Sequence, residues 1–385
     1  MADKNTANDR GSMIQAACIV AGNGIGSGVM AIPYFVMRAG ILGGVLAFVL
    51  AYIVSVLMHL MIAELMLHED NVSDILGVFN TYLFKGGIGK VLRIVFFVIL
   101  VVVLEANLAA YISGASDIIV TLLPVSEAVI KTAFYIFAAL VVLLGLKAVA
   151  AGEGVTVMLM AVILITAIVF SLANINDNVS IGSWGGLKDA AALFSMIMFS
   201  FSAIFAVPQS VEYLKRDTVA VRHSIQLGLF INLVLSTVVA VCTIITSKEV
   251  TEIAIVGWAD AVGGAVRVLG SLFIVFAMLT SFWSIGLASS DIVTIQTGLK
   301  SRIAFAVATV PALLITFIKG SGFMGYLKIV GGAVALIISL MVIPSFVICI
   351  RKNRQLKLMK DMEKSGLMVA FVLLMYLVMA VGSVF

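Results

Sequence analysis

Eleven stretches of about twenty predominantly apolar residues, joined by short polar connections, leave this chain very few folds to choose from. They lie near 13–37, 41–67, 92–122, 131–150, 155–174, 188–213, 223–247, 266–290, 302–318, 324–350 and 366–384. Hydrocarbon offers no partner for backbone N–H and C=O groups, so a segment crossing it must satisfy them within itself. An all-α polytopic membrane protein is expected, with the lipid bilayer as its surroundings. Composition closes off the alternative: with 62% apolar and 11% charged residues, too few polar side chains exist to cover a water-soluble surface. Met1 to Arg10 are polar and lack a cationic start followed by a cleavable apolar core, so no removable signal peptide is expected.

The cations predict orientation. With the N-terminus in the cytoplasm, 17 of the 24 Lys and Arg fall inside, which implies N-in and C-out. The basic run from Arg351 to Lys364 reads as an orientation-setting loop rather than a lipid-headgroup site. Because the cations are sorted by side, the net charge of +4 does not call for a nucleic-acid partner. Cys18, Cys242 and Cys349 sit alone in apolar runs, and His59, His68 and His223 are far apart. With no disulfide framework, metal-ligand spacing or catalytic combination, the chain is not expected to be an enzyme, and no catalytic residue, cofactor or obligate protein partner is assigned. Short loops suit a prokaryotic inner membrane.

A repeat orders the spans. Ser27-Gly28-Val29-Met30-Ala31-Ile32-Pro33 resembles Ser202-Ala203-Ile204-Phe205-Ala206-Val207-Pro208, with Ser, Ala and Pro recurring at an offset of 175. Each copy opens a block of five spans, 13–174 and 188–350, preceded by a tail (1–12) and followed by an eleventh helix (365–385). Five is odd, so the second block enters the membrane from the opposite side. Inverted repeats with interrupted first helices are the architecture of secondary transporters.

Gly22-Asn23-Gly24-Ile25-Gly26-Ser27-Gly28 places four glycines within seven residues, each costing roughly 1 kcal/mol in a helix. The helix is expected to open there. At that depth a freed backbone group is costly unless it lines a cavity or meets a ligand. The half-helix beginning near Ser27 would turn N–H groups toward an anion, and carbonyls near Ala21 and Gly22 would suit a cation. Phe199-Ser200-Phe201-Ser202 would add carbonyls and two hydroxyls from the other side. Donors and acceptors in one pocket match a zwitterionic α-amino acid. The competing reading of the glycines is close helix packing. For Pro33 and Pro208 it is a tolerated kink.

At these residues the sequence resembles the bacterial branch of the amino acid/auxin permeases, aromatic and hydroxy amino acid permeases of the amino acid–polyamine–organocation superfamily with a LeuT-like fold. The motifs are Gly24-Ile25-Gly26-Ser27-Gly28-Val29-Met30-Ala31-Ile32-Pro33-Tyr34, and Phe199-Ser200-Phe201-Ser202 followed by Pro208 and Leu214-Lys215. That resemblance implies eleven helices in a 5+5 inverted repeat plus one, helices 1 and 6 broken, importing an amino acid in symport with Na⁺ or H⁺. Likeness to sodium-dependent neurotransmitter-type transporters implies a Na⁺ site from the carbonyls of Gly22, Ile25 and Ala277 and the hydroxyls of Thr280 and Ser281. It also implies the substrate carboxylate on the Ser27 and Gly28 amides. The ammonium would meet the Gly24, Phe199 and Ser200 carbonyls and the Ser202 hydroxyl, with the side chain near Phe201, Phe282 and Ile285. Val29 stands where a second-site Asn would fall, which argues against a second sodium. The competing reading of Thr280 and Ser281 is hydroxyls bonded back to their own helix.

Proton-driven relatives can place a titratable side chain on the fifth helix. Span five, read as 155–174, holds no Lys, His or carboxylate, which favours Na⁺. The proton alternative rests on Glu105, an intramembrane carboxyl on span three. His59 and Glu64 read as a solvated pair near the cytoplasmic end, Asp117 and Asp291 as gate or cap residues. Phe201, Phe282 and Trp283 could enclose an aromatic or apolar side chain, so a neutral amino acid is expected. A non-transporting sensor of the same fold is the remaining alternative.

Overall fold

The computed structural model describes residues 2–26, 28–69, 72–176, 180–247, 250, 258, 263–318, 340–352, 355–360 and 366–383. Among them are thirteen α-helices, and no strand. In chain order they are α1 (Ala2–Ile25), α2 (Ile32–His68), α3 (Ile75–Tyr82), α4 (Gly86–Val120), α5 (Glu127–Leu143), α6 (Leu146–Ala173) and α7 (Leu187–Ser200). Then follow α8 (Ala206–Tyr213), α9 (Thr218–Thr246), α10 (Gly264–Thr297), α11 (Ser301–Ile315), α12 (Leu340–Arg351) and α13 (Gly366–Gly382). Five of these are long and apolar enough to cross a membrane and three more are shorter apolar helices, so the expected count of eleven is not reproduced among the described residues. The segment 324–339 of the tenth expected span lies outside them.

Helix boundaries shift where glycine changes the backbone. Gly40 (φ 79°) turns α2 through a corner, so the end of span one and all of span two run on in one element. A Cβ there would stand 2.7 Å from the Gly182 carbonyl, and no other residue type tolerates both the φ and the space. The amides freed at the corner are caught by the segment before α7: Ile41 donates to Gly182 O (3.0 Å), Leu42 to Ser183 O (3.0 Å). Gly145 (φ 86°) divides α5 from α6, ten residues earlier than the expected start of span five at 155.

The expected blocks pack crosswise. α1 lies along α9 and α7 along α2, so the first helix of each block rests on the second helix of the other. α4 likewise packs on its counterpart α10. Pairs close to the repeat offset touch directly: Ser200 donates to Ile25 O (3.4 Å), and Tyr135 and Thr309 share a hydroxyl bond (2.9 Å). Apolar side chains cover the outer faces of α2, α4 and α6, with Ile41 57%, Ile88 80% and Val169 64% exposed. That exterior suits hydrocarbon. At the face carrying Arg216, Arg222 and Lys357, the 355–360 segment is strapped onto α2. Glu64, fully buried, accepts the amides of Lys357 (2.6 Å), Leu358 (2.7 Å) and Met359 (3.1 Å).

Candidate functional site

The first break is narrower than the glycine run suggests. α1 stays helical through Gly22 and Gly24 to Ile25; the chain leaves the helix at Gly26 (φ 30°) and makes one 3-10 turn over Gly28–Met30 before α2. A free carbonyl at Ala21 is thus corrected, because the helix continues past it. The last-turn carbonyls, which lack intrahelical partners, are instead met from α10 and α7. Gly22 O accepts from Thr280 (3.0 Å) and Ser281 (3.2 Å), Asn23 O from Ser281 (3.1 Å), and Ile25 O from Ser200. Gly22 and Gly24 serve close approach: a Cβ on Gly22 would fall 1.6 Å from Glu153 Oε2, and one on Gly24 2.2 Å from Asn232 Nδ2. Ser27 lies outside the described residues.

The second break spans Phe201 to Phe205, between α7 and α8. Its freed, buried amide at Ala203 donates to His59 Nε2 (3.0 Å), while His59 Nδ1 donates to Ser55 O (2.6 Å). His59 is fully buried and braces the break. The expected solvated pair with Glu64 is therefore corrected: Glu64 is held by the 357–359 amides and by His68 (3.0 Å).

A narrow cavity of about 20 Å³ opens where the breaks face each other. Asn23, Gly24, Gly26 and Gly28 form one wall, Phe199, Ser202 and Phe205 the opposite one, and Asn107, Tyr111 and Ile285 close it from α4 and α10. Both amide atoms of Asn23 are buried without a partner among the described residues. Buried polar groups are normally hydrogen-bonded, so such a pair marks a place for a polar ligand. Of the expected substrate residues, Gly24, Gly28, Phe199, Ser202 and Ile285 line this cavity. Ser200 sits beside it with its hydroxyl on Ile25 O. Phe201 and Phe282 are fully buried and absent from its walls. Phe282 turns edge-on to Phe134 and Tyr135 of α5, 6.1 Å from each. Trp283, 3% exposed, rests on Gly152 and Phe137, facing neither cavity nor lipid. Tyr111, Asn107, Phe205 and the Asn23 side chain were not anticipated from sequence. Their signal, aromatic and amide groups among apolar residues, does not differ from ordinary core.

Phe205 also lines a second cavity, with Pro208, Gln209, Glu212, Asp74 and Asp291. That space shares Ser73, Glu212 and Asp291 with a wider pocket bordered by Ser301 and Arg302 at the basic face. One aromatic ring thus stands between the central cavity and a carboxylate-lined vestibule. Asp74 caps α3 through the Gly77 amide, and burial pushes its carboxyl above the usual range while that amide pulls it back.

Four of the five expected cation ligands meet: the Gly22 and Ala277 carbonyls with Thr280 and Ser281. The Ile25 carbonyl is taken by Ser200. A group that was not expected completes the cluster. Glu153, fully buried, accepts from Ser284 (3.0 Å). The expectation that the fifth span carries no carboxylate is corrected, because α6 begins at Leu146 and takes in Glu153 between Gly152 and Gly154. Glu105 is half-buried on α4 and lines none of the three cavities.

Two solved structures are similar over nearly the whole length. A nucleobase-cation-symport-1 family transporter, Mhp1, in a closed conformation with bromovinylhydantoin bound, matches with TM-score 0.67 and 12% identity, covering 96% of this chain and 90% of its own. A manganese transporter of Eremococcus coleocola, in complex with an aromatic bis-isothiourea substituted compound, matches with TM-score 0.66 and 16% identity, covering 97% and 87%. At such identities the likeness shows the fold, that of LeuT-like transporters. No curated protein sequence matches the chain significantly. The tryptophan/tyrosine permease family model, by contrast, matches residues 9–383. A membrane permease rather than an enzyme, this chain belongs to the tryptophan/tyrosine permease family.

Proposed function

We propose that this permease imports a neutral amino acid, aromatic or hydroxy in its side chain, by cation-coupled symport through alternating access. The observation that carries the reading is the pair of breaks facing one cavity, with both amide atoms of Asn23 unpartnered among the described residues. In this account the Ser27 and Gly28 amides take the carboxylate. The Gly24, Phe199 and Ser200 carbonyls, with the Ser202 hydroxyl, take the ammonium. Tyr111, Phe205 and Ile285 border the side chain, in keeping with the aromatic substrates of the family's name. The exchange of packing between blocks supports a 5+5 inverted repeat. The basic face is the cytoplasmic one of a prokaryotic inner membrane, which puts the N-terminus inside and the C-terminus outside.

Two cations are candidates. Na⁺ would use Gly22, Ile25, Ala277, Thr280 and Ser281, four of which converge. A second reading, H⁺, is favoured because the Gly22, Asn23 and Ala277 carbonyls already accept from the two hydroxyls, bonds a cation would have to displace. Glu105 as its carrier is disfavoured by its place away from the cavities. Uptake of radiolabelled tryptophan, tyrosine and serine into proteoliposomes tests the reading. Accumulation under an imposed Na⁺ or H⁺ gradient supports symport. Saturable binding without movement supports a sensor and overturns it. Na⁺-driven uptake lost in Thr280→Ala would select the sodium set.

A further inference from the structure

We propose that the vestibule at the basic face is a second amino acid site, in which Asp74, Gln209, Glu212 and Asp291 receive the ammonium and the start of α11, with Arg302, receives the carboxylate. This rests on the import reading above and places a waypoint between the central cavity and the water at that face.

Room is the first observation. The central cavity, at about 20 Å³, is closed down in this conformation, whereas the vestibule offers about 340 Å³. At its inner end lies an annex of about 10 Å³, close to the space that one water or one ammonium group occupies. Asp74, Glu212, Asp291 and Gln209 line that annex with carboxylate and amide oxygens. Gln209 is 4% exposed, and its Nε2 donates to Ser284 O (2.7 Å). Its Oε1 is left buried with no partner among the described residues. A buried acceptor without a donor marks the place of a donor-bearing ligand. Three carboxylates would also suit a metal ion, but no three acidic, His or Cys side chains among the described residues are grouped to hold one. An organic ammonium is the better match.

The outer part of the chamber carries the opposite charge. Ser301 and Arg302 open α11, and no side chain caps that helix start, so its leading amides are open to an anion. Glu212, Asp291 and Arg302 border one chamber, yet among the described residues none of them is in an ion pair. Opposite charges that share a chamber without pairing leave both ends to a zwitterion. Val142, Leu146, Leu287 and Phe305 give the same chamber an apolar wall for a large side chain. Phe205 lines both the annex and the central cavity, so an amino acid seated here stands directly behind that ring, on the way out.

The test is protection of a thiol placed in the chamber. Ile295 borders it and is 48% exposed, while Cys18, Cys242 and Cys349 are buried, so a maleimide added to the purified full chain carrying Ile295→Cys reports on the vestibule. Tryptophan is expected to slow labelling severalfold, whereas tryptamine and 3-indolepropionate, each lacking one charge, leave the rate unchanged. Adding Arg302→Ala or Asp291→Asn removes one charged partner and is expected to raise the tryptophan needed for half-protection about tenfold. Should Arg302→Ala fold poorly, Arg302→Lys keeps the charge without the fork and is expected to shift half-protection by less. Tryptophan uptake by the unaltered protein with no protection of the thiol overturns this inference alone. So does protection that neither Arg302→Ala nor Asp291→Asn weakens, which would trace it to the central cavity. Labelling slowed by phosphatidylethanolamine vesicles but not by tryptophan overturns it too and assigns the chamber to lipid headgroups. Protection that follows these expectations in a protein that moves no amino acid upholds the site and overturns the import reading.

Discussion

Individual residues here are fixed by contacts of one or two atoms. Gly22 cannot carry a side chain, because its Cβ would overlap Glu153 Oε2 and stand 3.0 Å from Thr280 Cβ. Gly22→Ala is expected to destabilise the protein by about 1–3 kcal/mol and to abolish uptake, measured by melting in detergent and by transport. His59→Ala removes the acceptor of a buried amide and is expected to cost about 1–3 kcal/mol, with a fall in substrate affinity as the second break loosens. At this scale the sequence was only partly legible. The chain leaves the helix at Gly26 and Gly28, within the expected glycine run, since mid-membrane glycines weaken the helix. Gly22 and Gly24 carried the same signal for a different reason, room for Glu153 and Asn232. His59 was misjudged because the amide it braces is 144 residues away.

At the scale of elements, helix ends decided what could be found. Gly152 and Gly154 look like punctuation, and starting the fifth span after them hid Glu153. In the fold they stay helical, and a Cβ on Gly152 would meet the Trp283 ring at 2.9 Å. The strap at 355–360 is a second such case. A carboxylate accepting three amides from a distant loop has no sequence signature. Glu64→Gln keeps its shape but turns an acceptor into a donor facing N–H groups. It is expected to cost about 1–3 kcal/mol and to raise proteolysis in 355–360, with the rest of the fold intact.

For the whole molecule, the apolar runs and the repeat gave the all-α membrane architecture. The pairing of α1 with α9 and α7 with α2 is what lets the breaks meet. That meeting encloses a cavity which Phe205 separates from the vestibule at the basic face. Phe205→Ala is expected to open this partition, so that exchange persists while gradient-driven accumulation drops because substrate leaks back; unchanged accumulation would exclude the gate.

The central claim is that main-chain groups of two facing breaks hold both charges of an amino acid. Equilibrium binding of radiolabelled tryptophan to the purified protein, challenged with tryptamine and with 3-indolepropionate, tests it most directly. Saturable tryptophan binding that neither single-charge analogue displaces at concentrations where unlabelled tryptophan does is the predicted result. Equal displacement by either analogue would contradict it.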